Sequence, residues 1–319
     1  MTSTTALLVA LAAALALTPL VRGAAHGAGL LDLPESRKQH RVPLPRLGGV
    51  AIAAAFYLGI GAALVVARLM GRRLGVDLGT LPAVLVGLAL IAGIGLLDDL
   101  QGMRARAKLA AQVAIAMLVY GLGLSIDHLD GPWGTIDLGV WSLPVTVAWL
   151  VGVINALNLI DGLDGLAAGV AFIATCAFAA ISLTLRGGDP LLPVLAAAAG
   201  AVLGFLRFNL PPATIIMGDT GSMLLGFLLA AVAIGLSQAH PAGVAPWIPL
   251  LVLALPLADT GRVIIRRLLA GHPVFAPDRR HVHHRLLARG HSPRTVMLIL
   301  WLTSAAFGAA GVGLAALAA

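Results

Sequence analysis

Residues 81–100 of the chain are LPAVLVGLALIAGIGLLDDL, an apolar run that ends in two adjacent aspartates. A helix needs about 20 mostly apolar residues to cross the roughly 30 Å of hydrocarbon in a bilayer. Unpaired backbone groups are costly in lipid, so a run of this kind predicts a spanning helix. Asp98 and Asp99 then lie where that helix leaves the membrane.

Similar apolar runs recur along the whole chain and predict an all-α, polytopic integral membrane protein with about ten transmembrane helices. The composition agrees, since 59% of the residues are hydrophobic and 11% are charged, whereas soluble domains have about 25% charged residues. A soluble enzyme, a disordered chain, a coiled coil and a disulfide scaffold are thereby excluded. The runs lie approximately at residues 4–22, 47–67, 81–97, 109–125, 139–157, 166–185, 191–207, 221–238, 247–265 and 295–317.

The chain is expected to form one membrane-embedded domain, residues 1–319. No segment between the runs is long enough to fold alone, and no internal repeat is visible. The first run lacks a basic n-region and a clear cleavage site, so it is interpreted as an anchor. The single cysteine, Cys176, excludes an intrachain disulfide and a multi-cysteine metal site.

The basic residues predict the orientation of the chain in the membrane. One set of alternate loops holds 17 of the 21 bases, which places that set in the cytoplasm and both termini outside. A net charge of +7 could indicate nucleic acid, but bases placed between apolar runs indicate a membrane surface instead. The basic loops are residues 22–46, 98–108, 155–165, 207–220 and 262–294.

Asp98 and Asp99 form the first candidate site. Adjacent carboxylates at a membrane border repel each other and are costly to desolvate, unless a divalent cation or a cationic partner lies between them. The alternative is a solvated helix end, which two acids at a helix C-terminus do not favour because they oppose the helix dipole.

The second candidate is NALNLIDGLDG at residues 155–165, a loop on the predicted cytoplasmic side that contains no base. A helix would place Asn158, Asp161 and Asp164 on one face, whereas the Asp-Gly steps favour tight turns. In either conformation hard oxygen ligands converge. The alternative is that these residues only form the turn between two helices.

The third candidate is NLPPATIIMGDTGS at residues 209–222. Glycines and small hydroxyls before an apolar helix are typical of an anion-binding helix start, and a carboxylate beside it suits Mg²⁺. The alternative is a simple helix cap formed by Asp219, Thr220 or Ser222.

The fourth candidate is PDRRHVHHR at residues 277–285. Zinc is disfavoured because no cysteine is near and no three-ligand spacing is clear. Arginines interleaved with histidines are more typical of a clamp on a pyrophosphate or lipid phosphate. A basic patch attracted to anionic lipids is the alternative.

Two further features leave alternatives open. Residues 32–49 are as compatible with a basic loop at the entrance of a site as with a solvated positive loop. Asp259 follows Pro246, Pro249 and Pro256, which predict a bent or broken helix. An intramembrane carboxylate is a functional candidate, but an ion pair with Arg262 explains it equally well.

Aspartates, Gly-rich loops and Arg/His clusters at one membrane border indicate phosphate chemistry with Mg²⁺, because phosphoryl transfer needs charge neutralisation and positioning. One reactant is then expected to be a lipid phosphate and the other a water-soluble activated compound. A cation-coupled transporter would place ionisable groups near the midplane or show repeat symmetry, and a non-catalytic scaffold would not need the Asp98–Asp99 pair.

The chain resembles the polyprenyl-phosphate N-acetylhexosamine-1-phosphate transferases, specifically the branch that transfers GlcNAc-1-phosphate. The matching stretches are RKQHRVPLPRLGG (37–49), LLDDL (96–100), NALNLIDGLDGLA (155–167), FNLPPATIIMGDTGSMLLG (208–226) and APDRRHVHHRLLARG (276–290). They occur in family order and cover essentially the whole chain.

The resemblance implies a bundle of ten or eleven helices with a cytoplasmic-facing cleft in the inner membrane. It implies transfer of a sugar-1-phosphate from UDP-GlcNAc to undecaprenyl phosphate with release of UMP, in surrounding membrane lipid, and it leaves a homodimer open. Mg²⁺ is the expected cofactor, with Mn²⁺ as a substitute. An eleventh helix is frequent in this branch, but this chain ends after the tenth run.

The resemblance also implies roles for individual residues. Asp98 and Asp99 match an essential catalytic pair, and Asp219, with Asp99, matches the metal ligands. Asp161 and Asp164 match catalytic positions that shape the nucleotide and metal site. Substrate contacts are expected from Lys38, Asn158, Asn209, Arg280, His281, His283, His284 and Arg285.

One motif separates the subfamilies. The phospho-MurNAc-pentapeptide translocases have three consecutive histidines, whereas this chain has His-Val-His-His-Arg at 281–285. UDP-GlcNAc is therefore the expected donor, and UDP-MurNAc-pentapeptide or another UDP-N-acetylhexosamine is the alternative.

Overall fold

The computed structural model of the chain describes residues 1–33, 42–71, 80–131, 134–184, 191–239, 244–271 and 281–318. The fold is all-α apart from two short antiparallel pairs, β1–β2 and β3–β4. The helices are α1 Thr2–Gly27, α2 Gly48–Leu69, α3 Thr80–Gln101, α4 Ala105–Gly121, α5 Ser142–Ile160, α6 Leu166–Thr184, α7 Leu192–Asn209, α8 Gly218–Ala239, α9 Trp247–Val252, α10 Ala254–Leu269, α11 Val282–Ala288 and α12 Pro293–Ala318. The strands are β1 Leu31–Asp32, β2 Leu44–Pro45, β3 His128–Gly131 and β4 Gly134–Asp137.

Among the described residues, eight helices are long and apolar enough to cross a membrane, which confirms an all-α polytopic protein. The other two predicted runs also form helices. Run 109–125 lies mostly in α4, which has 17 residues. Run 247–265 is divided into α9 and α10 at Leu253, as its prolines predicted.

Contacts between helix ends in the described part of the chain define two opposite faces of the bundle. The ends of α3, α5 and α7 meet the start of α8 at one face, called the site face below. At the opposite face, Gln238 near the end of α8 donates hydrogen bonds to the carbonyls of Gly123 and Ser125, just after α4. Helix α4 connects the two faces, since Lys108 near its start contacts Asp219 and Gly123 just after its end accepts a hydrogen bond from Gln238.

Small residues let the first helix pack closely on its neighbours. A Cβ atom on Gly200 would lie 2.2 Å from the carbonyl oxygen of Leu7, and one on Gly59 would lie 2.7 Å from that of Ala6. Close packing of this kind holds membrane helices together where lipid gives no hydrophobic driving force. Helix α8 lies at the centre of the bundle, packed against α2, α3, α5 and α6.

Candidate active site

A cavity of about 340 Å³ opens at the site face, between the helix ends that carry the predicted motifs. Five aspartates, one arginine and one histidine contribute to its wall. The lining residues are Asp32, Arg46, Asp99, Asn158, Asp161, Gly162, Leu163, Asp164, Asn209, Ile216, Gly218, Asp219 and His284.

Asp99 anchors the first turn of α8. Its Oδ1 accepts the backbone N–H of Asp219 at 2.9 Å, and its Oδ2 accepts the N–H of Thr220 at 2.9 Å and the Thr220 hydroxyl at 2.6 Å. A helix start carries free N–H groups and a partial positive charge, so a carboxylate there is stabilising. The cap of α8 is therefore supplied by Asp99 of α3. The alternative considered from the sequence, a cap formed by the side chain of Asp219, Thr220 or Ser222, is not what the structure shows.

Gly218 makes this capping contact possible. Its φ is +71°, a left-handed conformation that favours glycine. A Cβ atom at this position would lie 2.7 Å from Oδ2 of Asp99. The glycine before Asp219 thus lets the buried carboxylate approach the helix start.

Asp98 takes a different role from its neighbour. Its Oδ2 pairs with Nζ of Lys108 at 2.6 Å, and its Oδ1 accepts the N–H of Met103 at 2.5 Å. It does not line the cavity. Consecutive helix residues project about 100° apart, so one member of the pair faces the cavity and α8 while the other faces α4.

Lys108 is the cationic partner that adjacent carboxylates require, and it was not predicted as a site residue. Its ammonium group contacts Asp98 and also Oδ2 of Asp219, so it joins α3, α4 and α8. One sequence signal could have indicated it. The chain has only two lysines among its 21 bases, Lys38 and Lys108, and both fall in loops or helix starts on the predicted cytoplasmic side.

Asp219 and Asn158 form the centre of the site. The Asn158 amide donates hydrogen bonds to Oδ1 of Asp219 at 3.1 Å and to Oγ of Ser222 at 2.9 Å. Asn158 belongs to the last turn of α5, whereas residues 161–165 form turns, with Gly165 at a φ of +72°. The motif is therefore not one continuous helix: α5 ends before Asp161, and the Asp-Gly steps form turns.

The two aspartates of that turn region face the cavity. Burial, together with the negative charges of Asp219, Asp99 and Asp164, raises the pKa of Asp161 to about 8. Oδ2 of Asp164 accepts the backbone N–H of Ala213 at 2.9 Å, which ties this loop to the segment before α8. Such a concentration of carboxylates favours a cationic ligand.

Asn209 links the same two segments from the end of α7. Its Oδ1 accepts the N–H of Gly165 at 3.1 Å, and its Nδ2 donates to the carbonyl of Ile215 at 3.0 Å. The side chain lines the cavity and is buried. Its observed contacts position the loops, and its expected contact with the nucleotide stays a prediction.

The histidine segment approaches the cavity from α11. His284 lines the cavity, whereas His283 is buried behind Gly162. Burial, together with the neighbouring His284 and His281, lowers the pKa of His283 to about 3, so its ring is neutral. Arg285 is exposed and does not line the cavity. Lys38 and Arg280 lie outside the described residues.

Arg46 is a second residue of the site that was not predicted from the sequence to bind a ligand. The backbone of Pro45 and Gly48 is hydrogen-bonded to Ile216, at 2.9 and 3.0 Å, which brings Arg46 beside the start of α8. Within the described part of the chain its buried Nε has no hydrogen-bond partner. A buried, unpaired guanidinium N–H is costly, so an anion is the ligand that fits this wall of the cavity.

The cavity offers carboxylate oxygens to a metal ion, but the described side chains do not form a complete coordination shell. Within the described ranges, no group of three histidine, cysteine or acidic side chains is arranged to hold a metal by itself. Mg²⁺ does not require one, because it is usually bound through one or two carboxylates, waters and substrate phosphates. The carboxylates of Asp219, Asp161 and Asp164 fit that kind of site.

Residues 81–237 match the model of glycosyl transferase family 4. A probable undecaprenyl-phosphate N-acetylglucosaminyl 1-phosphate transferase of Bacillus subtilis is 37% identical over 301 residues, covering 93% of this chain and 80% of the relative. The chain belongs to glycosyl transferase family 4. The family 4 match runs from α3 to α8, the segment that holds Asp98, Asp99, Lys108, Asn158 and Asp219.

Two more relatives of this family 4 enzyme extend the comparison. A decaprenyl-phosphate N-acetylglucosaminephosphotransferase of Mycobacterium tuberculosis is 40% identical over 316 residues, covering 91% of this chain and 77% of the relative. An undecaprenyl-phosphate alpha-N-acetylglucosaminyl 1-phosphate transferase of Escherichia coli is 31% identical over 304 residues, covering 91% and 78%. The family 4 chain is therefore a multi-pass membrane enzyme of the phosphotransferase class.

Proposed function

We propose that the chain transfers GlcNAc-1-phosphate from UDP-GlcNAc to undecaprenyl phosphate and releases UMP, as the first step of a cell-envelope polysaccharide. The observation that carries the proposal is the cavity at the site face, lined by five aspartates and by Arg46, whose buried Nε has no hydrogen-bond partner among the described residues. The names of the relatives support a polyprenyl phosphate as acceptor and an N-acetylglucosamine phosphate as the transferred group.

The proposed reaction forms one phosphorus–oxygen bond and breaks another. An oxygen of the lipid phosphate attacks the β-phosphorus of the UDP-sugar, and UMP leaves with the electrons of the broken bond. A phosphate monoester has a second pKa near 6, so the lipid phosphate is largely a dianion at pH 7. The main task of the site is then to bring two anions together and neutralise their charge.

Mg²⁺ would be held by Asp219 with help from Asp161 and Asp164, and it supplies charge neutralisation of the diphosphate when bound. Mn²⁺ is expected to replace it. Arg46 and His284 contribute cationic and hydrogen-bonding groups to the wall of the same cavity. Lys108 holds Asp219 against Asp98, and Asp99 fixes the start of α8, so both orient the proposed metal ligand.

The proposal places the site face in the cytoplasm. The predicted loops at this face are the basic ones, and cytoplasmic loops of membrane proteins carry the excess of Lys and Arg. The UDP-sugar would then enter from the cytoplasm, and the lipid phosphate from the inner leaflet of the plasma membrane.

The test uses purified protein in lipid nanodiscs with undecaprenyl phosphate, Mg²⁺ and a panel of UDP-sugars. We expect UMP release with UDP-GlcNAc and loss of turnover with EDTA, restored by Mg²⁺ or Mn²⁺. Release of UDP instead of UMP would contradict phosphosugar transfer, and turnover with UDP-MurNAc-pentapeptide but not UDP-GlcNAc would identify the other branch. Cation-driven transport without UMP release would favour the transporter.

A further inference from the structure

A buried carboxylate outside the cavity holds the histidine segment in place. Asp259 lies in α10 and is 7% exposed. Its Oδ2 lies 2.8 Å from Nδ1 of His281, and its Oδ1 accepts the backbone N–H of Val282 at 2.8 Å. Where the chain is described, these are the contacts that Asp259 makes, and the ion pair with Arg262, one of the two alternatives considered from the sequence, is not among them. Both oxygens are therefore used at the start of α11.

Helix α11 needs such an anchor. It has seven residues, and isolated helices shorter than about 12–15 residues are marginal in water. The side chain of His281 is 6% exposed and that of Asp259 is 4% exposed, so their hydrogen bond is shielded from water. A shielded hydrogen bond to a carboxylate is stronger than one between neutral groups.

Two side chains of α11 transmit its position to the cavity. His284 lines the cavity directly. The ring of His283 lies 4.2 Å from that of His284, centre to centre, and packs against Gly162, where a Cβ atom would come within 2.3 Å of Nε2. Movement of α11 would therefore shift both a wall residue and the loop that carries Asp161 and Asp164.

We infer that Asp259 is a positioning residue for sugar-phosphate transfer, acting through His281 and the first turn of α11 to hold His284 at the cavity and His283 against Gly162. The same contact fixes the tautomer of His281, because a carboxylate acceptor keeps the proton on Nδ1 and leaves Nε2 free to accept a hydrogen bond. This inference rests on the proposed function. It adds to that function a residue, Asp259, that touches neither the substrates nor the proposed metal ion.

A double-mutant cycle on kcat/KM for UDP-GlcNAc tests the coupling. Carboxylates that orient metal-bound histidines typically contribute about 10- to 100-fold to activity, and by analogy we expect Asp259→Ala and His281→Ala each to lower kcat/KM by that amount. If Asp259 acts through His281, the double variant falls no further than the lower single variant. Arg262→Ala, one turn along the same helix, should retain the wild-type value.

The conservative variant separates anchoring from tautomer control. Asp259→Asn can still accept the Val282 N–H, but its amide would donate to His281 and force the other tautomer. Hydrogen exchange of peptides from 281–289 should therefore accelerate on the order of tenfold in Asp259→Ala, and remain near wild type in Asp259→Asn and Arg262→Ala. Both Asp259 variants should lose activity.

The outcomes distinguish this inference from the proposed function. An active wild type with multiplicative losses in the double variant, or with unchanged exchange in Asp259→Ala, overturns the role of Asp259 alone. A wild type that releases no UMP with any UDP-sugar overturns the proposed function, and with it this inference.

Discussion

Gly95 offers the sharpest test of how the site is held together. It lies one turn before Asp99 on the same face of α3, and a Cβ atom there would lie 2.5 Å from Cα and 2.7 Å from N of Thr220. Carbon atoms in contact sit about 3.5–4.0 Å apart, so Gly95→Ala must separate α3 from the start of α8 by about 1 Å. The obstacle is backbone, which cannot rotate away.

The separation acts directly on the capping contacts of Asp99. Its hydrogen bonds to α8 are 2.9, 2.9 and 2.6 Å long, and an added 1 Å takes them beyond the roughly 3.2 Å limit of a normal bond. Each hydrogen bond to a charged group contributes about 1.5–3 kcal/mol. Displacement of Asp219 by about 1 Å can by itself cost about 100-fold in rate.

The assay compares UMP release and thermal unfolding of Gly95→Ala with those of Gly93→Ala. Gly93 lies in the same helix, and a Cβ atom there meets nothing within 4 Å. We expect at least about 100-fold slower turnover and a lower unfolding temperature for Gly95→Ala, with Gly93→Ala close to wild type. Equal turnover of the two variants would refute the claim that contact between α3 and α8 sets the site.

Two further substitutions test neighbouring parts of the same arrangement. Lys108→Met should slow turnover by roughly 10- to 150-fold, equivalent to about 1.5–3 kcal/mol for a lost charged hydrogen bond. The control is Arg106→Met, at an exposed position of the same helix, which should not slow turnover. Similar rates for both variants would show that Lys108 is not part of the site. Gly162→Ala, whose Cβ would lie 2.3 Å from Nε2 of His283, should lower UMP release by at least about tenfold. Gly152→Ala, where a Cβ atom meets nothing within 4 Å, is its control, and a Gly162→Ala variant as active as this control would contradict the packing of α11 on this loop.

The helices were predictable because lipid imposes a simple rule on long apolar runs. Run 81–97 became α3, Thr80–Gln101, and the bent or broken helix that the prolines near run 247–265 predicted is found, with its break at Leu253. The β3–β4 hairpin was not predicted, since it lies in the short segment between the apolar runs 109–125 and 139–157. The seven-residue α11 was not predicted either, because a helix that short depends on its anchor to α10 more than on its own sequence.

The candidate site was predictable as a set of motifs, but not as a set of contacts. Asp99, Asp219 and Asn158 came together at one face as the motif positions required. The sequence predicts Asp98 and Asp99 as a catalytic pair, with Asp99 also as a metal ligand, whereas only the structure shows that Asp99 faces the cavity and α8 and that Asp98 pairs with Lys108. Arg46 and Lys108 were recognised only as positive charges, because their places at the cavity and beside Asp219 depend on contacts between segments far apart in the chain.

The central position of α8 has a consequence for the behaviour of the enzyme in different bilayers. In α8, 94% of the apolar segment is buried within the protein, compared with 22% in α1 and 33% in α12. Hydrophobic mismatch acts on surfaces that touch lipid, so a thinner or thicker bilayer would tilt the outer helices before it displaced α8. The depth of Asp219 would then be set by protein neighbours, and reconstitution with shorter or longer acyl chains should leave its alignment with the helix ends around it unchanged.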